Sequence, residues 1–345
     1  MSHKTSILLI GATGYIGGSV LTRLMKHPNA SNFDITVLVR SEEKAKKLEA
    51  FGVHTVIGSF GDTEKLEALA SKASIVFNCA DADDLGAARA ILRGMQKRHT
   101  EAGEIPTLIH TSGTGIVTDN AAGMYPMSTI YYDSDPDQIE TLSPTQMHRN
   151  VDLSIVNADA KGTIKSYIIL PSDIYGLASG SLVNAGIMNP HSVQIPLLIK
   201  ASLDRGRGGM VGEGKNIWPN VHIDEVADLY IVVFDAVMSG KPIGHGREGF
   251  YFAENGEHQL YDIGKAIGAA LVDLGMAKSD EPTTFSKAEL DKYFGGSADL
   301  GTNSRCRAER SRAIGWKPVK GTRDMLASVR PEIDSMIARP ESVKI

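Results

Sequence analysis

Ser6-Ile7-Leu8-Leu9-Ile10-Gly11-Ala12-Thr13-Gly14-Tyr15-Ile16-Gly17-Gly18 decides how the chain is read. Its first five residues form a continuous apolar run, the pattern of a strand buried on both faces. Glycines then recur as GxxGxxG, and Tyr15 to His27 continues at helical spacing until Pro28-Asn29 stops it. A glycine carries no Cβ, so a strand-to-helix turn built this way is tight and its amides can approach a pyrophosphate closely. The first turn of the helix leaves N–H groups without intrahelical acceptors, and the helix dipole adds partial positive charge there. Gly11, Thr13, Gly14, Tyr15, Ile16 and Gly17 are therefore the expected phosphate-side contacts, with Gly17 letting the helix pack on the first strand.

The next strand ends Leu38-Val39-Arg40-Ser41, with Lys44 one turn later. A dinucleotide site specific for NAD carries an acid about 20 residues beyond the glycine turn, to hold the ribose 2′-hydroxyl. A guanidinium has no acceptor for that hydroxyl and suits a 2′-phosphate instead. Arg40 thus favours NADP(H) over NAD(H).

Further outward the alternation continues. Strands are expected at Asp34–Val39, His54–Ile57, Ser74–Cys79 and Thr107–Thr111, with helices over Ser41–Ala50, Asp62–Ser71 and Ala87–His99. Asp62 stands at a helix N-cap position. Strands alternating with helices of this length call for a parallel sheet covered on both faces. Beyond Thr111 the pattern loosens. Ser112–Asp137 is loop-rich, Ser143 opens a helix to about Ala160, and Ser166–Leu170 is a sixth strand ending at Pro171. Helices follow near Val193–Leu203, His222–Met238 (capped by Asp224), Leu260–Leu274 and Ser304–Ile314, with a short strand at Gly249–Ala253. This divides the chain into a nucleotide domain, 1–176 with 221–253, and a smaller lobe, 177–220 with 254–345.

Composition narrows the function classes. The 345 residues carry 36 Lys+Arg against 41 Asp+Glu, a net charge of −5, whereas nucleic acids and anionic membranes select a basic footprint. The two cysteines, Cys79 and Cys306, cannot form a disulfide framework or a Cys-built zinc site, and suit a reducing, cytoplasmic setting. The ten histidines include no HxxxH pair, so no metal site is expected. No run approaches the roughly 20 apolar residues of a membrane span. Met1–Lys4 carries no leader signature, and Ser342–Ile345 matches no targeting address.

With these segments in place the chain resembles the extended or atypical short-chain dehydrogenase/reductases, of the NAD-dependent epimerase/dehydratase kind. The matching segments are Gly11–Gly17, Gly61-Asp62, Asn78-Cys79-Ala80, Thr111-Ser112-Gly113, Leu170-Pro171-Ser172-Asp173-Ile174-Tyr175-Gly176, Val221–Asp228 and Ile314–Pro318, which span most of the sequence. The resemblance implies a doubly wound parallel Rossmann sheet, with a smaller C-terminal substrate lobe over the carboxyl ends of its strands. It also implies that Asp62 contacts the adenine, Ala80 the ribose side and Pro171 the nicotinamide pocket. Homodimers are common in the family.

The chemistry departs from that pattern. The family's Tyr and Lys, four residues apart, belong on the helix after the fifth strand, but that segment reads Gln146-Met147-His148-Arg149-Asn150-Val151-Asp152. The family's serine falls on Ser112, Gly113 or Thr114. Three readings stay open. The first is an oxidoreductase or epimerase on a small carbonyl, hydroxyl or sugar-like substrate, with Ser112 and a substituted acid among Tyr125, Tyr131, Tyr132 and His148; Tyr132 is preferred. The second is a non-catalytic NADP(H) sensor resembling NmrA-type regulators. The third is an enzyme in which the cofactor is structural, or in which hydride transfer needs no side-chain acid. Arg305, Arg307, Arg310 and Arg312 lie on the predicted Ser304–Ile314 helix. There Arg310 is the candidate for an anionic substrate group, against the alternative of a surface helix with an Arg305–Glu309 pair. Asp133–Asp137 reads as a solvated acidic loop.

Overall fold

The computed structural model describes residues 4–338. The expectations for Met1–His3 and for Ser342–Ile345, and the end of the second lobe, lie outside the described residues. Seven parallel strands form the central sheet: β1 (Thr5–Ile10), β2 (Phe33–Val39), β3 (His54–Ile57), β4 (Ile75–Asn78), β5 (Thr107–Thr111), β6 (Lys165–Pro171) and β7 (Phe250–Ala253). Their order is β7-β6-β5-β4-β1-β2-β3. The chain winds outward from β1 to one edge, then returns to β4 and winds to the other. A crevice therefore opens at the carboxyl ends between β1 and β4, the topological switch point where ligands bind in open α/β sheets.

Helices α1 (Tyr15–Met25), α2 (Glu42–Glu49), α3 (Thr63–Ala70), α4 (Leu85–Ala102), α5 (Arg149–Ala160) and α6 (Gln194–Arg205) follow in chain order, then α7 (Ile223–Met238), α8 (Leu260–Asp273) and α9 (Thr322–Ala338). One apolar core surrounds the sheet. A second gathers Ile195, Leu198, Ile199, Val211, Ile263, Ile267, Leu271, Phe285, Met325, Val329 and Ile333 from α6, α8, α9 and their connecting loops. Sequence reading had not assigned α9, whose Met325, Val329 and Ile333 supply one wall of that second core at helical spacing. Cys306, Ala308 and Trp316 belong to the core around the sheet, so the C-terminal segment crosses back to it before α9.

Several local expectations are corrected. The Ser304–Ile314 helix is replaced by a strand, Cys306–Arg307, paired with Tyr131–Tyr132, and a short helix, Glu309–Ala313. The extended backbone puts Arg305 and Arg307 on one face, where both guanidiniums hold Glu257. A helix would have turned them apart, so tertiary pairing outweighed the helical pattern. The Arg305–Glu309 pair does not form; Glu309 accepts from Ser134 instead. Helix α5 begins at Arg149, because Ser143 bonds Thr145 in a turn rather than capping the helix. His222, not Asp224, caps α7, its Nδ1 accepting from the Asp224 amide, while Asp224 pairs with Arg23 on α1. Asp62 caps nothing: its carboxylate turns back to the Ser59 amide.

Asp133 is the largest departure from expectation. It is 1% exposed, not solvated. Its carboxylate accepts from the amides of Phe252, Arg310 and Ser311 and from the Ser311 hydroxyl. The free edge of β7 is thereby closed by a side chain rather than by another strand.

Candidate active site

The glycine turn is shaped by close backbone approach. Gly11 has φ +88°, and a Cβ there would stand 2.4 Å from the Cys79 carbonyl oxygen after β4. A Cβ on Gly17 would stand 2.3 Å from the Gly11 carbonyl oxygen, so α1 lies directly on the turn. Gly14 begins α1 without a side-chain cap, and no acidic residue occupies the first turn. The amides of Tyr15, Ile16 and Gly17 thus face outward with no intrahelical acceptor, at the positive end of an 11-residue helix.

At Tyr15 and Ile16 this helix mouth opens onto a groove. Its outer part, about 630 Å³, is lined by Gly11, Thr13, Gly14, Arg40, Lys44, Ala80 and Asn189, with Gly58 to Gly61 and the acidic Asp81 and Asp84 also in its walls. Arg40 and Lys44 stand at the β2 end, as their spacing from the turn required. Asp62 lies just behind this wall and is not part of the lining. The inner part, about 330 Å³, is lined by Tyr15, Ile16, Cys79, Ser172, Asp173, Ile174 and His191. Cys79 and Asn189 border both parts, which makes them one continuous groove. The Asn189 amide bonds the Thr13 carbonyl at 3.0 Å, tying the loop before α6 across the glycine turn. That loop carried no motif; its glycines and prolines signalled only irregular chain.

The other predicted site residues are dispersed. Pro171 ends β6 and is buried beneath the groove, with its neighbours Ser172 and Asp173 in the lining. Ser112 is turned inward, its hydroxyl donating at 2.9 Å to the fully buried Asp152. Burial pushes the Asp152 carboxyl up to about 7, against the lowering effect of that bond. Tyr132 is corrected outright. Its strand pairs with Cys306–Arg307 at the β7 edge, with β7, β6 and β5 lying between it and β4. Tyr131 shares that strand, and Tyr125 is half exposed. Arg310 is corrected likewise: its Nε donates to the Asp133 carbonyl and its guanidinium lies against Gly244, before β7, at the amino end of the sheet. His148 stays near the switch point. Its Nδ1 meets Asp83 at 2.8 Å and its Nε2 lies over Gly113 and Gly115, outside the lining of the groove.

Asp173, quoted in the sequence motif without a role, is the carboxyl that the fold brings into the inner part of the groove. It is 5% exposed, and burial pushes its carboxyl up to about 7. His258, on the strand Glu257–Gln259, stands 3.6 Å away, with its imidazole pushed down to about 4 by burial. Sequence offered one signal, an acid beside Ser172 in the mostly apolar stretch from Tyr167 to Tyr175. Among the described residues no cluster of His, Cys, Asp and Glu could hold a metal ion, and no helix is long and apolar enough to cross a membrane.

Comparison with solved structures places this architecture. The UDP-glucose 4-epimerase of Thermotoga maritima, solved with UDP-glucose, superimposes with a TM-score of 0.66 at 15% identity, covering 96% of this chain and 100% of that one. The dTDP-glucose 4,6-dehydratase of Bacillus anthracis, solved with NAD, gives 0.65 at 16% identity, covering 98% of each. The fold is shared with these sugar-nucleotide epimerase and dehydratase structures. Within it, residues 3–133 match the model of the NmrA-like family. Among curated proteins, "Oxidase ucsJ" of an Acremonium species is 27% identical over 91% of this chain and 92% of its own length. An uncharacterized protein of Schizosaccharomyces pombe is 26% identical over 92% and 96%. No Tyr and Lys four residues apart stand at the start of α5, where His148 at the N-cap position and Asp152 occupy that spacing.

Proposed function

We propose that the chain is an NADP(H)-dependent oxidoreductase acting on a small carbonyl or hydroxyl substrate. One observation carries the reading: a single groove runs from two cations at the end of β2, past an uncapped helix N-terminus, to a buried carboxyl. The residues fit a dinucleotide. Gly11, Gly14 and Gly17 leave room for a pyrophosphate against the amides of Tyr15 and Ile16; Thr13 and Ala80 border it; Arg40 and Lys44 are set for a 2′-phosphate. Pro171 supports the inner end, and Asp62 acts only by holding the Ser59 turn that forms the adenine-side wall. A bound nicotinamide supplies hydride exchange; the chain's part is to orient it, exclude water and handle the proton. The relative named an oxidase and the dehydratase solved with NAD support redox chemistry on this scaffold.

The missing Tyr and Lys, and a Ser112 hydroxyl engaged with Asp152, favour a second reading as a sensor without turnover. Titrating NADPH and then following oxidation at 340 nm across a carbonyl panel separates the two, since tight binding without oxidation belongs to the sensor.

Cofactor choice is tested at Arg40. Arg40→Ala should weaken NADPH binding about tenfold, the loss of one charge-assisted contact, and leave NADH unchanged. Fluorescence titration measures both. Tighter NADH than NADPH binding by the wild type would overturn the preference.

A further inference from the structure

We propose that Asp173 is the proton donor and acceptor of this active site, with His258 as its positioning residue. The proposal rests on the oxidoreductase reading above and assigns its missing acid.

Asp173 opens the short strand Asp173–Tyr175 that continues from β6, and pairs in register with Asn220 on the strand Ile217–His222. It lines the inner groove on one side. On the other it lines a narrow chamber of about 20 Å³, shared with Gln194, Asn216, Trp218 and His258. Leu198, Leu260, Ile263 and Leu300 complete its walls, and a space of that size with polar groups on one side holds about one water. The carboxyl therefore sits between a site for substrate and a site for a relay water, buried from bulk solvent.

His258 is oriented by its own partners. The Asn220 side-chain amide donates to Thr322 Oγ1 at 2.9 Å and lies 3.4 Å from His258 Nδ1. An amide N–H can only donate, so Nδ1 is the acceptor and the ring proton is on Nε2, the atom facing Asp173. Nε2–H opposite a carboxylate favours the ionised form, while the apolar surroundings favour the acid. Burial dominates and pushes the carboxyl up to about 7, the range a general acid needs at neutral pH, with His258 Nε2 3.6 Å away. The other titratable groups of the inner groove are Cys79, whose thiol burial pushes up to about 12, Tyr15 and His191. The Tyr15 hydroxyl, from α1, is committed to the Gly176 carbonyl. His191, from the loop before α6, is paired with Glu332 of α9. His258 itself is neutral near pH 7.

In the reducing direction the hydride and its electron pair come from the reduced nicotinamide and form the new C–H bond. The carbonyl π bond breaks, its oxygen takes the Asp173 proton, and the products are an alcohol, the oxidised nicotinamide and the Asp173 carboxylate. Solvent protons return through the chamber. Oxidation runs the same steps backward. His148, by contrast, is held to Asp83 outside the groove, so no substrate oxygen in the groove lies beside it.

The test uses the full chain, with NADPH and the carbonyl panel, between pH 5.5 and 9. Asp173→Asn should hold NADPH within twofold of the wild type and reduce the turnover number at least about 100-fold. Wild-type reduction should fall tenfold per pH unit above about 7, and this limb should vanish in the variant. His258→Ala should retain the limb, displaced to higher pH. Asp173→Ser provides a second neutral replacement should the asparagine chain fail to fold. Wild-type turnover matched by both Asp173 variants, with the limb intact, would overturn the assignment. Failure of the wild type to bind NADPH would overturn the oxidoreductase reading instead. A folded-state readout is independent of cofactor. The raised carboxyl favours the protonated native state, so Asp173→Asn should melt progressively higher than the wild type as pH rises from 5 to 8; a constant difference would count against a buried, protonatable Asp173.

Discussion

A chain with Gly11→Ala is expected to lose NADPH binding by more than about 100-fold and to melt at a lower temperature. Two effects act together. Alanine at φ +88° pays the left-handed penalty of about 1–2 kcal/mol. Its Cβ would also stand 2.4 Å from the Cys79 carbonyl oxygen, which is backbone and cannot rotate away. The turn must therefore move, and the amides of Tyr15 and Ile16 move with it; a displacement of about 1 Å at such a site is worth about two orders of magnitude. Gly52 separates the two effects. It has φ +80° with nothing near its Cβ position, so Gly52→Ala should cost about 1 kcal/mol of stability and leave binding untouched. Gly14→Ala should fold readily, since φ there is negative, and weaken NADPH about tenfold through its tighter approach to the Gly11 carbonyl. Calorimetry on the three variants reads the result. Undiminished NADPH affinity in a folded Gly11→Ala chain would remove the turn from the binding site and the functional proposal with it.

Asp133→Ala is expected to be the most destabilising single substitution away from the groove, on the order of 4 kcal/mol by urea unfolding. The carboxylate satisfies three backbone amides and one hydroxyl, from β7 and from the Glu309–Ala313 helix, all in a nearly dry location. Truncation leaves the three amides without that acceptor, while the Ser311 hydroxyl keeps the Phe252 carbonyl at 2.6 Å, and each buried orphan costs about 1–3 kcal/mol. Asp133→Asn keeps one acceptor oxygen and should lose less. Burial raises the Asp133 carboxyl to about 6, although the amide bonds pull it down. Its native pKa thus exceeds the unfolded value of 3.8. The native state therefore binds the proton more tightly, and this group's contribution is greatest below pH 4 and declines as pH rises through 6. The stability difference between wild type and Asp133→Asn should shift in that direction over the same interval. A loss below about 1 kcal/mol for the alanine variant would show that the C-terminal segment holds to the sheet by apolar contacts alone.

Sequence reading reached furthest where one local pattern has one physical meaning. The apolar run at Ser6–Ile10, the three glycines and Arg40 are close together in the chain, and each follows from a short-range requirement: a doubly buried strand, a turn without Cβ atoms, a cation at a strand end. The parallel sheet and the outer groove were legible for that reason. Reading weakened beyond Thr111, where partners lie more than a hundred residues apart. Nothing near Asp133 announces that Phe252 and Ser311 will supply its donors. Nothing near Arg307 announces an extended partner at Tyr132, so a period-3.6 pattern was read where a strand stands.

Local chemistry in the chain therefore determined the scaffold, the helix mouth and the cations at the end of β2. Tertiary structure alone decided which carboxyl meets the inner groove. It carried Tyr132 and Arg310 to the β7 edge, turned Ser112 inward onto Asp152, and brought Asp173 against His258 across 85 positions of sequence. The physical reason is desolvation. A carboxyl's readiness to give up a proton depends on what surrounds it, and those surroundings come from Asn220, His258 and the walls of two cavities, which only folding brings together.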